Sequence, residues 1–315
     1  MTDPTERQTG TTDVPVFYGT VPPREGPLEA EARSVAEKLA ARLEESGVDA
    51  ILVYDVQDEE GRNGEPRPFP FIPTIASRQY AALLREVTGR TVVCYKAAPA
   101  HSGDDFQEWL QETRRTYNIR YLSLVGRSSS DAEPPGPSLE TATRMATALT
   151  EPGFEALGGV TIPERHLAKE DEGRRLLQKT ERGMRYFVSQ IIYRPDAAVR
   201  MMRAYDRRCR ENGAEPALVA LTFAPFGCRK TLRFMRWLGV DVPDEAEERI
   251  FSAEDPVEAS VRLCQENLAR IVEQTSDLAV PVGIAAESVS IRRDEIDASV
   301  ELLSALQKEL RSGVL

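Results

Sequence analysis

The residues with which this chain can do chemistry sit at the ends of short apolar runs. Asp55 closes the run AILVY, Glu287 follows PVGIAA, and Glu164 and His166 share the segment TIPERH behind another such run. A carboxyl drawn out of water at the end of a buried run has its pKa raised toward the range in which it can donate a proton. Asp55 is the favoured candidate for that role, with Glu287 and Glu164 beside it. Gln190 ends YFVSQ, and its carboxamide both donates and accepts, which suits the polar edge of a pterin or flavin ring. His166 is either an imidazole facing a ligand or a solvated loop histidine; His101, in PAHSGDD, is expected to be exposed. Cys94, Cys209, Cys228 and Cys264 lie far apart, with no C-x-x-C pair and no nearby histidine, so no metal is expected. They read as buried thiols of a reducing cytoplasm. No Ser/His/Asp arrangement stands out, which turns the reading away from hydrolysis.

Eight β-branched runs carry these residues: Val14–Tyr18, Ala50–Tyr54, Thr91–Tyr95, Tyr121–Val125, Glu155–Val160, Tyr186–Ser189, Ala217–Thr222 and Val280–Ala285. Between them lie amphipathic stretches at about Leu28–Ser46, Ser77–Thr88, Asp104–Tyr117, Leu139–Leu149, Glu170–Arg182, Pro195–Asn212 and Cys228–Leu238, with Asp294–Arg311 last. Pro256–Thr275 is an additional helical stretch after strand seven. Eight alternating units predict a single α/β domain, a (βα)8 TIM barrel over residues 14–315 behind a flexible tail at 1–13. An open doubly wound sheet would also alternate, but no G-x-G-x-x-G follows the first strand and no Walker A sequence is present. In a barrel the loops after the strands carry the site. That places Asp55–Thr74 and Ser128–Ser138, long and proline-rich, on the working face.

Of 315 residues, 41% are hydrophobic and 29% charged, enough for a large core and a charged coat. The net charge of −11 opposes binding to nucleic acid and to anionic membranes. The start MTDPTERQTGTTD has no basic segment followed by an apolar one, and no long apolar run occurs elsewhere, so a soluble cytoplasmic protein is expected. The oligomeric state is not written in the sequence, and a homo-oligomer is compatible with it.

The stretch from Gly159 to Gln190, GVTIPERH followed by LLQKTERGMRYFVSQ, resembles the methylenetetrahydrofolate reductase family at Pro163, Glu164, His166, Lys179, Gly183 and Gln190. VPP at Val21–Pro23, VGR at Val125–Arg127 and FAPFG at Phe223–Gly227 resemble further landmarks of that family. The resemblance implies reduction of 5,10-methylenetetrahydrofolate to 5-methyltetrahydrofolate, with NAD(P)H as hydride donor, FAD as the family's usual carrier and a small-molecule folate as the partner. It also implies that Gln190, Phe223 and Tyr193 bind substrate while His166, Lys179 and Arg127 contact the cofactor. The chain departs from the pattern where the family carries its proton-donating glutamate, since Gly19 stands there, and where an aspartate precedes the flavin, since Arg127 stands there. Glu172 and Arg175 replace the residues that hold the adenine side, which leaves FAD open. A substitute acid is then required, and Asp55 and Glu287, after strands two and eight, flank Gly19 around a barrel. The alternatives are a folate- or flavin-binding partner subunit that has lost reduction, and a one-carbon transfer protein on the same pocket.

Overall fold

The computed structural model describes residues 14–26, 29–58, 65–100, 102–126 and 136–311. The tail 1–13, His101, Arg127 and most of the loop after strand four lie outside the described residues. Eight parallel strands close into a barrel in sequence order: β1 (Val16–Thr20), β2 (Ala50–Val53), β3 (Thr91–Ala97), β4 (Tyr121–Val125), β5 (Ala156–Thr161), β6 (Met184–Ile191), β7 (Leu218–Phe223) and β8 (Val282–Glu287). The helices are α1 (Glu29–Leu43), α2 (Ser77–Thr88), α3 (Gly103–Arg115), α4 (Leu139–Ala148), α5 (Pro163–Lys169), α6 (Glu172–Glu181), α7 (Pro195–Asn212), α8 (Arg229–Trp237), α9 (Asp244–Phe251), α10 (Pro256–Thr275) and α11 (Arg293–Arg311). The chain is a (βα)8 TIM barrel.

Strands buried on both faces explain the unbroken apolar runs. In β2, Ala50 and Leu52 join Phe17, Tyr95, Tyr121 and Tyr186 inside the barrel, while Ile51 and Val53 pack outward under the helices. Large rings fill the interior only where a neighbour gives way. A Cβ on Gly158 would lie 2.1 Å from the Tyr186 ring, so that position has room for hydrogen alone.

Two differences from the sequence reading have backbone causes. β1 and β8 each begin two residues later than expected, directly behind Pro15 and Pro281, which lack a ladder donor; their carbonyls accept from Ile284 and Val219 instead. The shift carries Glu287 into the last position of β8, paired in register with Gly19 of β1. Within TIPERH, Thr161 ends β5 and Pro163–His166 open a short helix, α5, rather than a loop, with Pro163 in its first turn. The ring position after β7 belongs to α10, which packs between α7 and α11, and α8 and α9 are the insertion. Among the described residues no helix is long and apolar enough to cross a membrane.

Buried polar side chains brace the strand ends. The fully buried Glu295 carboxylate, at the start of α11, accepts from Gly227 N at 2.8 Å, Cys228 N at 3.2 Å and Thr231 Oγ1 at 2.8 Å, and from the Ser290 hydroxyl. One carboxylate thus ties the loop after β7 to the helix after β8. Replacing it by Glu295→Ala strands two backbone donors and two hydroxyls, and is expected to cost about 2–4 kcal/mol in chemical denaturation; a loss below about 1 kcal/mol would show that the brace is not needed.

Candidate functional site

At the mouth formed by the strand C-termini, β1, β2 and β8 bring three positions together. The Tyr54 hydroxyl donates a short hydrogen bond to Glu287 Oε2. An ideal Cβ on Gly19 would stand 2.5 Å from the Tyr54 hydroxyl oxygen and 2.7 Å from Glu287 Oε2, so the glycine is what makes room for the pair. Tyr54 packs edge-on against Tyr95, with ring centroids 4.8 Å apart.

Burial pushes the Glu287 carboxyl up to about 7, with the Tyr54 hydrogen bond pulling the other way. Burial, reinforced by the Glu287 charge, holds the Tyr54 phenol well above its ordinary value of 10. The pair therefore has one proton that stays on the phenol near neutral pH and one that the carboxyl can give up. Strand alternation points Ser123 and Thr222 into the barrel with Tyr95; the Tyr95 hydroxyl faces Ser123, and Thr222 Oγ1 is buried without a hydrogen-bond partner. Buried polar groups normally find a partner, and Thr222 Oγ1 is an exception inside the barrel.

The other expected site residues are placed differently. The Asp55 carboxylate faces Lys96 Nζ at 3.1 Å and Ala97 N at 2.9 Å, an ion pair that ties β2 to β3. Glu164, in the first turn of α5, has both carboxylate oxygens buried without a partner, and desolvation raises it to about 7. His166, 8% exposed on the same helix, has an unpartnered Nδ1 and a pKa lowered by burial. Gln190 sits at an irregularity of β6, its Nε2 donating to Leu238 O at 3.3 Å and its Oε1 accepting from Ile191 N. The Tyr193 hydroxyl donates to Ala224 O at 2.8 Å and meets Ser260 Oγ at 2.9 Å, deep beneath the loop after β7. Phe223 is fully buried in the outer core, because the inward position at the end of β7 is Thr222.

Lys179, 7% exposed, donates to Val160 O at 2.6 Å under α6, and burial lowers it to about 8. Its ammonium is thus spent on a backbone carbonyl outside the barrel wall, and Arg127 lies outside the described residues. No cluster of three or more His, Cys, Asp or Glu among the described residues could hold a metal ion. Of the sequence candidates, Glu287 is the one brought into the mouth beside Gly19. Tyr54 was read only as the end of a strand; its signal was the period-two alternation, which puts it on the same inward face as Leu52.

No protein-family model matches the sequence, and no curated protein matches it either. Among solved structures, a Clostridium thermocellum protein that binds two copies of 5-methyl-5,6,7,8-tetrahydrofolic acid is similar over 93% of this chain and 95% of its own, at 26% identity and a TM-score of 0.79. Apo-MsnO8, at 15% identity and a TM-score of 0.56, covers 95% of this chain and 99% of its own. The oxygenating constituent of 3,6-diketocamphane monooxygenase from the CAM plasmid of Pseudomonas putida, a type II Baeyer–Villiger monooxygenase in complex with FMN, gives 14% and 0.53 over 96% and 99%. The latter two share the fold alone.

Glu287 and Glu164 both move from an ordinary 4.5 to about 7 on folding. Between those values the folded chain keeps protons that the unfolded chain releases, so their stabilising effect is complete below about 4.5 and is lost as pH rises through about 7. Denaturation midpoints should accordingly fall between about pH 5 and pH 8, and less steeply in Glu287→Gln, by roughly 1–3 kcal/mol over that range. Identical pH slopes in the two proteins would mean that the Glu287 carboxyl is already ionised.

Proposed function

We propose that this chain holds a reduced folate with its pterin in the barrel mouth and reduces 5,10-methylenetetrahydrofolate to 5-methyltetrahydrofolate, Glu287 donating the proton and Tyr54 positioning it. The observation that carries the reading is the Glu287 carboxyl against Gly19. The family that the sequence resembles has its acid on that position of strand one; here a carboxyl reaches the same spot from β8. Similarity to a barrel that binds 5-methyltetrahydrofolic acid supports the substrate class, because the methylated folate is the product of this reduction.

The chemistry requires one hydride and one proton. The hydride adds to the methylene carbon while the bond from that carbon to N10 breaks, and N10 takes the proton as it leaves. A reduced nicotinamide supplies the hydride as co-substrate. Glu287, protonated to a useful extent near neutrality, supplies the proton, an acid poised near the working pH. Tyr54 fixes one carboxyl oxygen by its hydrogen bond and leaves the other for the substrate. The Thr222 hydroxyl offers a donor and an acceptor to the pterin edge. No step passes through a flavin.

A second reading, a folate-binding or methyl-transfer protein without reduction, draws on the methyl form of the ligand in the Clostridium thermocellum barrel. The two separate on one assay. The purified protein is expected to be colourless above 300 nm or so and to oxidise reduced nicotinamide only when 5,10-methylenetetrahydrofolate is present. Glu287→Gln should lower kcat by about 100-fold or more with little change in KM. Tyr54→Phe should move the pH profile to the alkaline side, because the lost hydrogen bond was holding the carboxyl's pKa down. Tight folate binding without turnover favours the second reading, and absence of folate binding overturns both.

A further inference from the structure

Residues 65–75, EPRPFPFIPTI, follow β2 and carry prolines at positions 66, 68, 70 and 73. A proline has a fixed φ and no backbone donor, and it pushes the residue before it toward extended backbone. A run with prolines at this spacing joins neither helix nor sheet and stays stiff, at about 3 Å of length per residue. It behaves as a strap held at its ends.

The two ends are held differently. At 73–75 backbone meets backbone: Glu25 N donates to Pro73 O at 2.7 Å, Ile75 N donates to Pro23 O at 3.0 Å, and Arg24 and Thr74 form an antiparallel bridge. That end is fixed to the loop after β1. The other end rests on α8 through side chains. Arg67 Cζ lies 4.9 Å from the centre of the Trp237 ring, 5.4 Å from Phe71 and 5.7 Å from Phe234. Phe69 meets Phe234 edge-on at 5.3 Å, and Trp237 Nε1 donates to Glu65 O at 3.2 Å.

Arg67 is the fastener of this end, and a releasable one. Its guanidinium sits among ring faces, beside a helix that carries Arg229, Lys230, Arg233 and Arg236 and no acid. Among the described residues its Nε is buried without a hydrogen-bond partner, and its Nη1 reaches Gln57 O at a long 3.4 Å. Ring faces and one long hydrogen bond make a weak hold, and motion concentrates where few contacts must break. The barrel order β2, β1, β8, β7 puts α8 across β1 and β8 from β2. The strap therefore crosses the sector of the rim that bears Gly19 and Glu287.

We propose that residues 65–75 are a gate over this sector, swinging about the 73–75 end when Arg67 leaves its aromatic pocket, and that this opening sets how fast a ligand enters and leaves the mouth. The ligand part rests on the folate reading above. The latch contacts lie within the protein, so weakening them raises the closed state equally with and without ligand. The mark of the gate is faster entry and faster release at one affinity.

The strap contains its own reporter. Arg67 and Phe69 each precede a proline, which blocks cleavage by trypsin and chymotrypsin, whereas the Phe71–Ile72 bond is open to chymotrypsin once the strap is free. In brief proteolysis of the native full chain, Arg67→Ala is expected to speed cutting at that bond roughly tenfold, and Arg67→Lys, which keeps a cation over the rings, to restore much of the protection. Stopped-flow mixing with 5-methyltetrahydrofolate should show association and dissociation rates raised by similar factors in Arg67→Ala, with Kd changed by less than about twofold. Thermal midpoints separate a freed strap from a lost fold. Equal cutting of the unaltered protein and Arg67→Ala overturns the latch. Faster cutting with unchanged folate rates overturns the gate, as does a weaker Kd at an unchanged association rate, which marks a direct contact with ligand. If 5-methyltetrahydrofolate binds neither protein, the folate reading fails and the gate falls with it, while the cutting rates still decide the latch.

Discussion

Closing an eight-stranded barrel forces β1 against β8, and in this chain the seam ends on Gly19 paired with Glu287. Everything distinctive at the mouth depends on that pairing. A side chain on position 19 would collide with Tyr54 and with the carboxyl it holds. With hydrogen there instead, the tyrosine that follows β2 and the glutamate that ends β8 reach across β1 and meet over it. The barrel wall supplies the low dielectric that makes the meeting matter, since desolvation is the largest influence on both groups.

Around this seam the polar residues at strand ends divide by what they touch. Lys96 and Asp55 join two strands, Lys179 caps the Val160 carbonyl from beneath α6, Tyr193 holds Ala224, and Glu295 holds the loop after β7. Each is spent inside the wall or behind it. They keep the rims of neighbouring strands in register, which is what a site assembled from several strands requires. Glu172 belongs with them: fully buried, it accepts from Thr161 and Ile162 N and faces Arg165 and Arg175, binding the end of β5 to α6. The spacing through Lys179, Gly183 and Gln190 is therefore also the spacing of a structural unit, β5–α5–α6–β6.

The order of elements was legible because eight β-branched runs alternate with amphipathic ones, a pattern that survives errors of two residues at each boundary. Side-chain direction was less so. Moving β8 by two residues, behind Pro281, turns Glu287 from a loop residue into the final inward position of the strand. Phe223 and Thr222 show the same parity rule from the other side, since the residue with the aromatic ring faces the helices and the hydroxyl faces the barrel. The helix in TIPERH and the short α9 were hidden because each holds only about two turns, too few for a 3.6-residue period to declare itself. Tyr54 was hidden for a different reason: an aromatic residue at a strand end reads as core until its hydroxyl's partner, more than two hundred residues away, is known.

The partner's charge is what sorts these carboxyls. Asp55 and Glu172 face cations, Lys96 for the first and the guanidinium groups of Arg165 and Arg175 for the second. Glu287 faces a phenol that burial keeps neutral, so no cation offsets its desolvation and the proton remains accessible near neutrality. An arginine at position 54 would give a stronger bond and a worse acid. On the reading proposed above, the same reasoning lets the acid stand on β8 rather than on β1. What a proton donor needs at this point of the mouth is a carboxyl oxygen in a dry place beside a neutral hydrogen-bond donor, and the seam provides that from either strand, provided the opposite position is empty. Gly19 is that empty position: its missing side chain leaves the space in which the Glu287 carboxyl meets Tyr54.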